Sequence, residues 1–155
     1  MALGVGIGIH PQLLAQSGSG TAPFVGPFDS YSASIAAAYS LRRLLSSYEG
    51  SAIRVRESGG DTEADIGFIA NGDLDTTALL AHCGSNSGYV TKWYDQSGST
   101  LDATQATSAN QPRIVNSGVV DVENTKPALV AGGSSRLVCA AGLDAALTDD
   151  AFCAL

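Results

Sequence analysis

Two aspartates, Asp95 and Asp102, stand seven positions apart across the glycine turn of the stretch "WYDQSGSTLD". Glycoside hydrolysis needs such a pair, with its two carboxyl groups about 5–9 Å apart, one as acid and one as base or nucleophile. Any Asp-rich glycine turn places two carboxylates in this way. The expected role of Asp95 is therefore to accept hydrogen bonds from nearby backbone N–H groups. Trp93, the single tryptophan, precedes this turn. An aromatic ring beside a loop can stack on a sugar, so Trp93 and Asp102 are the candidate ligand contacts. A lone tryptophan in a β-rich strand is more often a core residue. Tyr94, Asp95, Gln96, Ser97 and Gly98 are read as a structural turn, with no catalytic residue among them.

Other chemistry is weaker. Asp73 and Asp75 lack the D-x-D-x-D-G pattern of a calcium loop, and Asp75 fits a helix N-cap instead. His10 and His82 are far apart in the chain, and neither neighbours a nucleophile. His82 is expected to interact favourably with the end of a short helix. No P-loop, G-x-S-x-G or H-E-x-x-H is present, and "GVGIGI" lacks the spacing of a dinucleotide site. Cys83, Cys139 and Cys153 have neither metal-site nor disulfide-framework spacing and are expected to be buried thiols, although Cys139 and Cys153 can also be drawn facing each other. Neither a metal nor a cofactor is expected.

The chain has 155 residues, enough for one domain with a sizeable core. It carries a net charge of −7, only 15% charged residues and 18 glycines. With no basic run longer than Arg42-Arg43, nucleic acid binding is not expected. No stretch approaches the roughly 18 apolar residues of a membrane helix. The first residues resemble a secretion signal only superficially, lacking a positive start and a clean cleavage site.

Residues 1–28 contain no charged side chain. They read as an uncharged, glycine-rich arm and linker, in which Val5, Ile7, Ile9, Leu13 and Leu14 would dock on another subunit. The alternative is a first strand of the domain followed by a loop. Residues 29–155 read as one β-rich domain. Within it, Ile35, Ala38, Leu41, Leu45 and Tyr48 recur at helical spacing, predicting a helix within 29–50. Alternation predicts strands over 52–58, 64–70 and 88–94, the last with Tyr89, Thr91 and Trp93 on one face. A short helix is expected over 72–84, with Leu74 and Leu79 as a staple and Gly84 as its stop. Residues 101–111 should be a loop, and 112–140 should hold three short strands between turn signals. The fold class is thus mainly β, an antiparallel jelly-roll-like sandwich with one or two short helices and an extended N-terminal arm.

The order "AAAYSLRRLLSSYEGSAIRVR", "DIGF", "DLDTTALLAHCG", "YVTKWYDQSG…ATQ…NQPRIV" resembles the front half of the arabinofuranosidase B catalytic domain, glycoside hydrolase family 54. It is also similar to a module of that kind in bacteriophage and bacterial surface proteins. The resemblance covers residues 29 to 155, and its most specific part is Trp93 to Gly98. Family members usually continue with Asn-Gly where this chain has Ser99-Thr100. The resemblance implies a concanavalin-like jelly roll, and the chain reads either as pairing its last strand with another chain or as the front part of a longer protein. It also implies catalytic carboxylates lying beyond the matched segment, so that no catalytic residue carries over.

The functional expectation is accordingly a non-enzymatic virion protein, such as a bacteriophage tail fibre, fibre adaptor or head-decoration subunit. Its arm would dock on capsid, portal or tail proteins, and the chain would form a homo-oligomer with scope for contact with a host-surface glycan. The location would then be the virion, or alternatively extracellular. The alternative functions are a carbohydrate-binding module and a truncated arabinofuranosidase.

Overall fold

The alternation "AIRVRE" builds the central sheet. In the computed structural model, which describes residues 23–139 and the side chains of all of these but 32–34, β1 (Ile53–Glu57) fully buries Ile53 and Val55. Arg54 and Arg56 lie on its other face. β1 pairs antiparallel with β2 (Glu63–Ile66) on one side and β3 (Gly88–Trp93) on the other. One edge of β3 is shared. Its end at Lys92 and Trp93 pairs with β4 (Ala103–Thr104), and its start at Gly88 and Tyr89 pairs with β5 (Arg113–Asn116). β5 turns into β6 (Val119–Val120), and β9 (Val138–Cys139) closes on β4. A separate ribbon joins β7 (Val122–Glu123) and β8 (Lys126–Pro127). All pairings are antiparallel and the described residues are mainly β with one α-helix, a jelly-roll-like architecture.

That helix, α1 (Thr76–Cys83), forms as its caps dictate. The Asp75 side chain accepts from the Ala78 amide at 2.8 Å, and Gly84, at φ 56°, ends it by donating to the Leu80 carbonyl at 2.9 Å. Leu74, Leu79 and Cys83 carry the helix into the core with Ala52, Ile53, Val55, Ile66, Val90, Ile114 and Val115. Burying each aliphatic side chain contributes roughly 1.5–3 kcal/mol. His82 bonds through Nε2 to the Val55 carbonyl at 3.1 Å, so the last turn of the helix is tied to β1.

The helix expected within 29–50 does not form. A 3₁₀ turn spans Asp29–Ser34, and no helix follows it. Ala38 and Leu45 are buried as the apolar spacing suggested, but on an irregular path. Backbone groups of Ala38, Ser40, Arg42 and Leu44 are taken by distant partners. The Asp95 carboxylate accepts from the Ala38 amide, and the Gln96 side chain accepts from Leu44 and donates to Ser40 and Arg42. Those groups are then unavailable to an i→i−4 ladder. Phe24, Gly26 and Phe28 dock on the same segment: Phe28 donates to the Leu44 carbonyl, and the Arg43 guanidinium sits 4.1 Å from the Phe24 ring centre. The arm residues Val5, Ile7, Ile9, Leu13 and Leu14 lie outside the described residues.

Two strand expectations also change. The strand expected over 64–70 ends at Ile66, and Phe68 makes only an isolated bridge to Leu74. In β3 a bulge sets Thr91 between Val90, opposite Val55, and Lys92, opposite Arg54. The extra residue reverses the alternation, so Trp93 faces the core opposite Ile53 instead of sharing a face with Tyr89. β4 appears within the segment expected to be loop, and 112–139 breaks into five short strands where three were expected.

Candidate functional site

The turn after β3 is a clamp. Asp95, 4% exposed, accepts from the Ala38 amide at 2.8 Å, the Ser97 amide at 2.8 Å, the Ser97 hydroxyl at 2.8 Å and the Leu101 amide at 3.1 Å. Gln96, 1% exposed, spends its side chain on Leu44, Ser40 and Arg42, and its amide donates to the Ala38 carbonyl at 2.7 Å. Both residues point into the protein. A carboxylate surrounded by four donors inside a fold has no free lone pair directed at a substrate. Asp102 is also engaged, accepting from the Asp95 amide at 3.0 Å and lying 3.4 Å from the Lys92 ammonium. Trp93 packs on the core, its ring 6.3 Å from that of Tyr39, and its Nε1–H is buried with no partner among the described residues. The turn 94–98 and its neighbours Trp93 and Asp102 thus sit together, arranged around the 36–44 segment.

Two other carboxylates, buried Glu57 and exposed Asp65, are also committed to donors. Glu57 accepts from the amides of Gly60 and Thr62, the Thr62 hydroxyl and the Asn86 amide group, and it also takes the Gly59 amide. The Gly59 and Gly60 amides lower its pKa to about 2. Asp65 holds Arg54 in a two-point pair and accepts from the Tyr94 hydroxyl, and the Arg54 bonds lower its pKa too. A general acid requires the opposite shift. Burial and the bond to Asp65 push the Tyr94 phenol up to about 12, so it stays a donor. Among the described residues no group of three His, Cys, Asp or Glu side chains is placed to hold a metal ion, and Asp75 serves as a cap.

The outer face of the sheet is where the described residues leave space. A groove of about 510 Å³ is lined by Arg56, Tyr89, Gln111, Arg113 and residues of the 108–109 and 130–135 loops. A second, of about 220 Å³, is lined by Arg54, Glu63, Thr91, Lys92, Thr104 and Gln105 and shares Gln111 with the first. Gln111, 5% exposed, accepts from Arg56 Nε at 2.9 Å and donates to the Gln105 carbonyl at 3.0 Å. Gln105 in turn donates to the Arg136 carbonyl at 2.9 Å. The sequence signal for this face was the outward pair Arg54 and Arg56. Its partners Tyr89, Gln111 and Arg113 come from elements whose pairing no local pattern reveals.

A family model described as α-L-arabinofuranosidase B, catalytic, matches residues 27–138. The chain belongs to that family. α-L-Arabinofuranosidase B of Emericella nidulans is 39% identical over 93 residues, covering 57% of this chain and 18% of that protein. Two solved structures of a GH54 α-L-arabinofuranosidase, one soaked with 4-nitrophenyl α-L-arabinofuranoside and one with a cyclic sulfate inhibitor, align with a TM-score of 0.50 at 28% identity. Each alignment covers 58% of this chain and 22% of the solved one. The chain spans about a fifth of the length of these relatives.

These matches overturn two expectations. The assignment to a bacteriophage virion, as tail fibre or decoration protein, gives way to a family of glycoside hydrolases. The expectation of a non-enzyme falls with it, because the matched relatives are enzymes. The resemblance to the arabinofuranosidase domain stands, without its bacteriophage context.

Proposed function

We propose that this chain belongs to the working part of a glycoside hydrolase acting on α-L-arabinofuranosides. In this reading residues 23–139 supply the sheet, the corner and a grooved outer face, and the acid and nucleophile carboxylates come from polypeptide outside them. The observation that carries the reading is the family match over residues 27–138, which runs through the Trp93–Gly98 corner. The chemistry supports the division of labour. Retaining and inverting glycosidases alike need one carboxyl held protonated and a second held ionised beside the sugar. Asp95 and Glu57 are saturated by donors in the folded protein, and Asp65 is held by Arg54 and Tyr94.

The test is release of 4-nitrophenol from 4-nitrophenyl α-L-arabinofuranoside. It compares the protein expressed from its complete natural reading frame with residues 1–155 alone. Turnover by the former and none by the latter is expected. A folded natural protein that releases no nitrophenol would overturn the proposal, and turnover by residues 1–155 alone would overturn the division of labour.

A further inference from the structure

We infer that the two grooves sharing Gln111 form one elongated site for a neutral oligosaccharide, gripping the glycan chain outside the point of cleavage. The inference rests on the glycan reading above for its ligand class, and on geometry for its location. Three features of the outer face lead to it.

The first is shape. The larger groove, about 510 Å³, lies in the ordinary range of small-ligand sites, roughly 300–1,000 Å³. The smaller continues it across Gln111, giving a track along the sheet and not a single round pocket. A linear chain of sugar rings fits a track.

The second is the chemistry of the lining. Tyr89 supplies an aromatic ring, with the Arg56 guanidinium carbon 5.2 Å from its centre. Flat groups of this kind bind the apolar faces of sugar rings, while amide and guanidinium groups bind their hydroxyls. Gln111 is already fixed between Arg56 and Gln105, and Gln105 is fixed to Arg136. The wall is therefore ordered before any ligand arrives, which limits the entropy lost on binding.

The third is charge, and it selects the ligand class. Four of the chain's eight basic residues lie on this face, Arg54, Arg56, Lys92 and Arg113. Each has a carboxylate partner: Asp65, Asp61, Asp102 and Asp121 respectively. Arg54 and Arg113 are both held at two points. An acidic glycan would find these cations already neutralised, in a chain of net charge −7. A neutral sugar can use the outward N–H groups that the pairing leaves free.

Titration of the ¹⁵N-labelled chain with xylotetraose, arabinotriose and tri-galacturonic acid tests the inference by amide shift mapping. Saturable shifts for a neutral probe at Tyr89, Gln111, Thr104 and Arg113 are expected, with at least tenfold weaker response to the acidic probe. Tyr89→Ala should weaken the neutral probe tenfold or more, and Tyr89→Phe should retain it. Unchanged far-UV dichroism of both variants excludes unfolding as the cause. No shift on this face with any probe, or a preference for the acidic one, overturns the inference. Binding and hydrolysis are separate readouts: binding by this chain with no nitrophenol release by the protein from the complete natural reading frame sinks only the enzymatic proposal, and release by that protein without binding on this face sinks only this one.

Discussion

Asp95 Oδ1 accepts a hydrogen bond from the backbone amide of Ala38 at 2.8 Å, across 57 positions of chain. This contact, with those of Gln96, turns the Trp93–Gly98 motif into the device that holds the 36–44 segment against the sheet. In Asp95→Ala the amides of Ala38, Ser97 and Leu101 lose their acceptor inside the protein. Orphaned buried donors cost about 1–3 kcal/mol each when no water reaches them, and several lie together here. Urea unfolding should show a loss of about 3 kcal/mol or more for Asp95→Ala, and hydrogen exchange should speed up first over 36–45. A variant with wild-type stability would leave the clamp without support.

The turn that follows carries strain that can be tested. Thr100 adopts φ 58°. A β-branched residue in the left-handed region is strained by roughly 1–2 kcal/mol. Thr100→Asn removes the β-branch and tolerates that conformation without glycine's flexibility. It should raise stability by about 1 kcal/mol in urea unfolding. A neutral or destabilising result would show that the threonine side chain compensates for its strain.

Legibility followed the range of the interactions involved. The buried Ile53 and Val55, the Asp75 cap and the Gly84 stop depend on neighbours within a few positions, and each was readable in the sequence. The 29–50 segment was misread because its apolar spacing is real, with Ala38 and Leu45 both buried, while its backbone partners lie on Asp95 and Gln96. Periodicity reports which side chains turn inward and is blind to a clamp more than 50 positions away. The Trp93 face was misread for a smaller reason, one bulged residue at Thr91. The Asp95 capping role was legible as chemistry, although its reach to Ala38 was not. The outer-face grooves were not legible, since Gln111 and Arg113 meet Arg56 and Tyr89 only through the β3–β5 pairing.

The β5–β6 hairpin makes a sharper prediction about turns. Ser117 and Gly118 take φ 47° and 81°, the sign pattern of a two-residue turn matched to strand twist. A Cβ on Gly118 would lie 2.9 Å from the Gly84 carbonyl oxygen, which belongs to the cap of α1. Gly118→Ala therefore adds left-handed strain and a clash with backbone that cannot move without disturbing the helix end. A loss of about 2 kcal/mol in thermal or urea unfolding is expected. In the β7–β8 ribbon Asn124 and Thr125 also take positive φ, 47° and 67°, with no glycine, so Thr125→Gly should change stability in the opposite direction. If both substitutions destabilise equally, turn strain is not what distinguishes the two hairpins.

Glu57 sets an acid limit on the fold. It closes the β1–β2 turn by accepting from Gly60 and Thr62 and reaches Asn86 just beyond α1 at 2.9 Å. The Gly59 and Gly60 amides stabilise its ionised form, lowering its pKa in the folded protein from 4.5 to about 2. The unfolded chain keeps the ordinary value, so between those two pH values the unfolded state binds more protons and stability rises with pH. The contribution is complete above about 4.5 and disappears as pH falls toward 2. Asp29 and Asp65 are also lowered and add slope of the same sign. Urea midpoints measured from pH 2 to 7 should therefore fall steadily on acidification below 4.5 in the wild type. In Glu57→Gln the midpoint should be lower at pH 7 and its fall below pH 4.5 shallower, with the remaining slope owed to the two aspartates. An identical slope in the variant would mean that Glu57 is not held ionised by the turn.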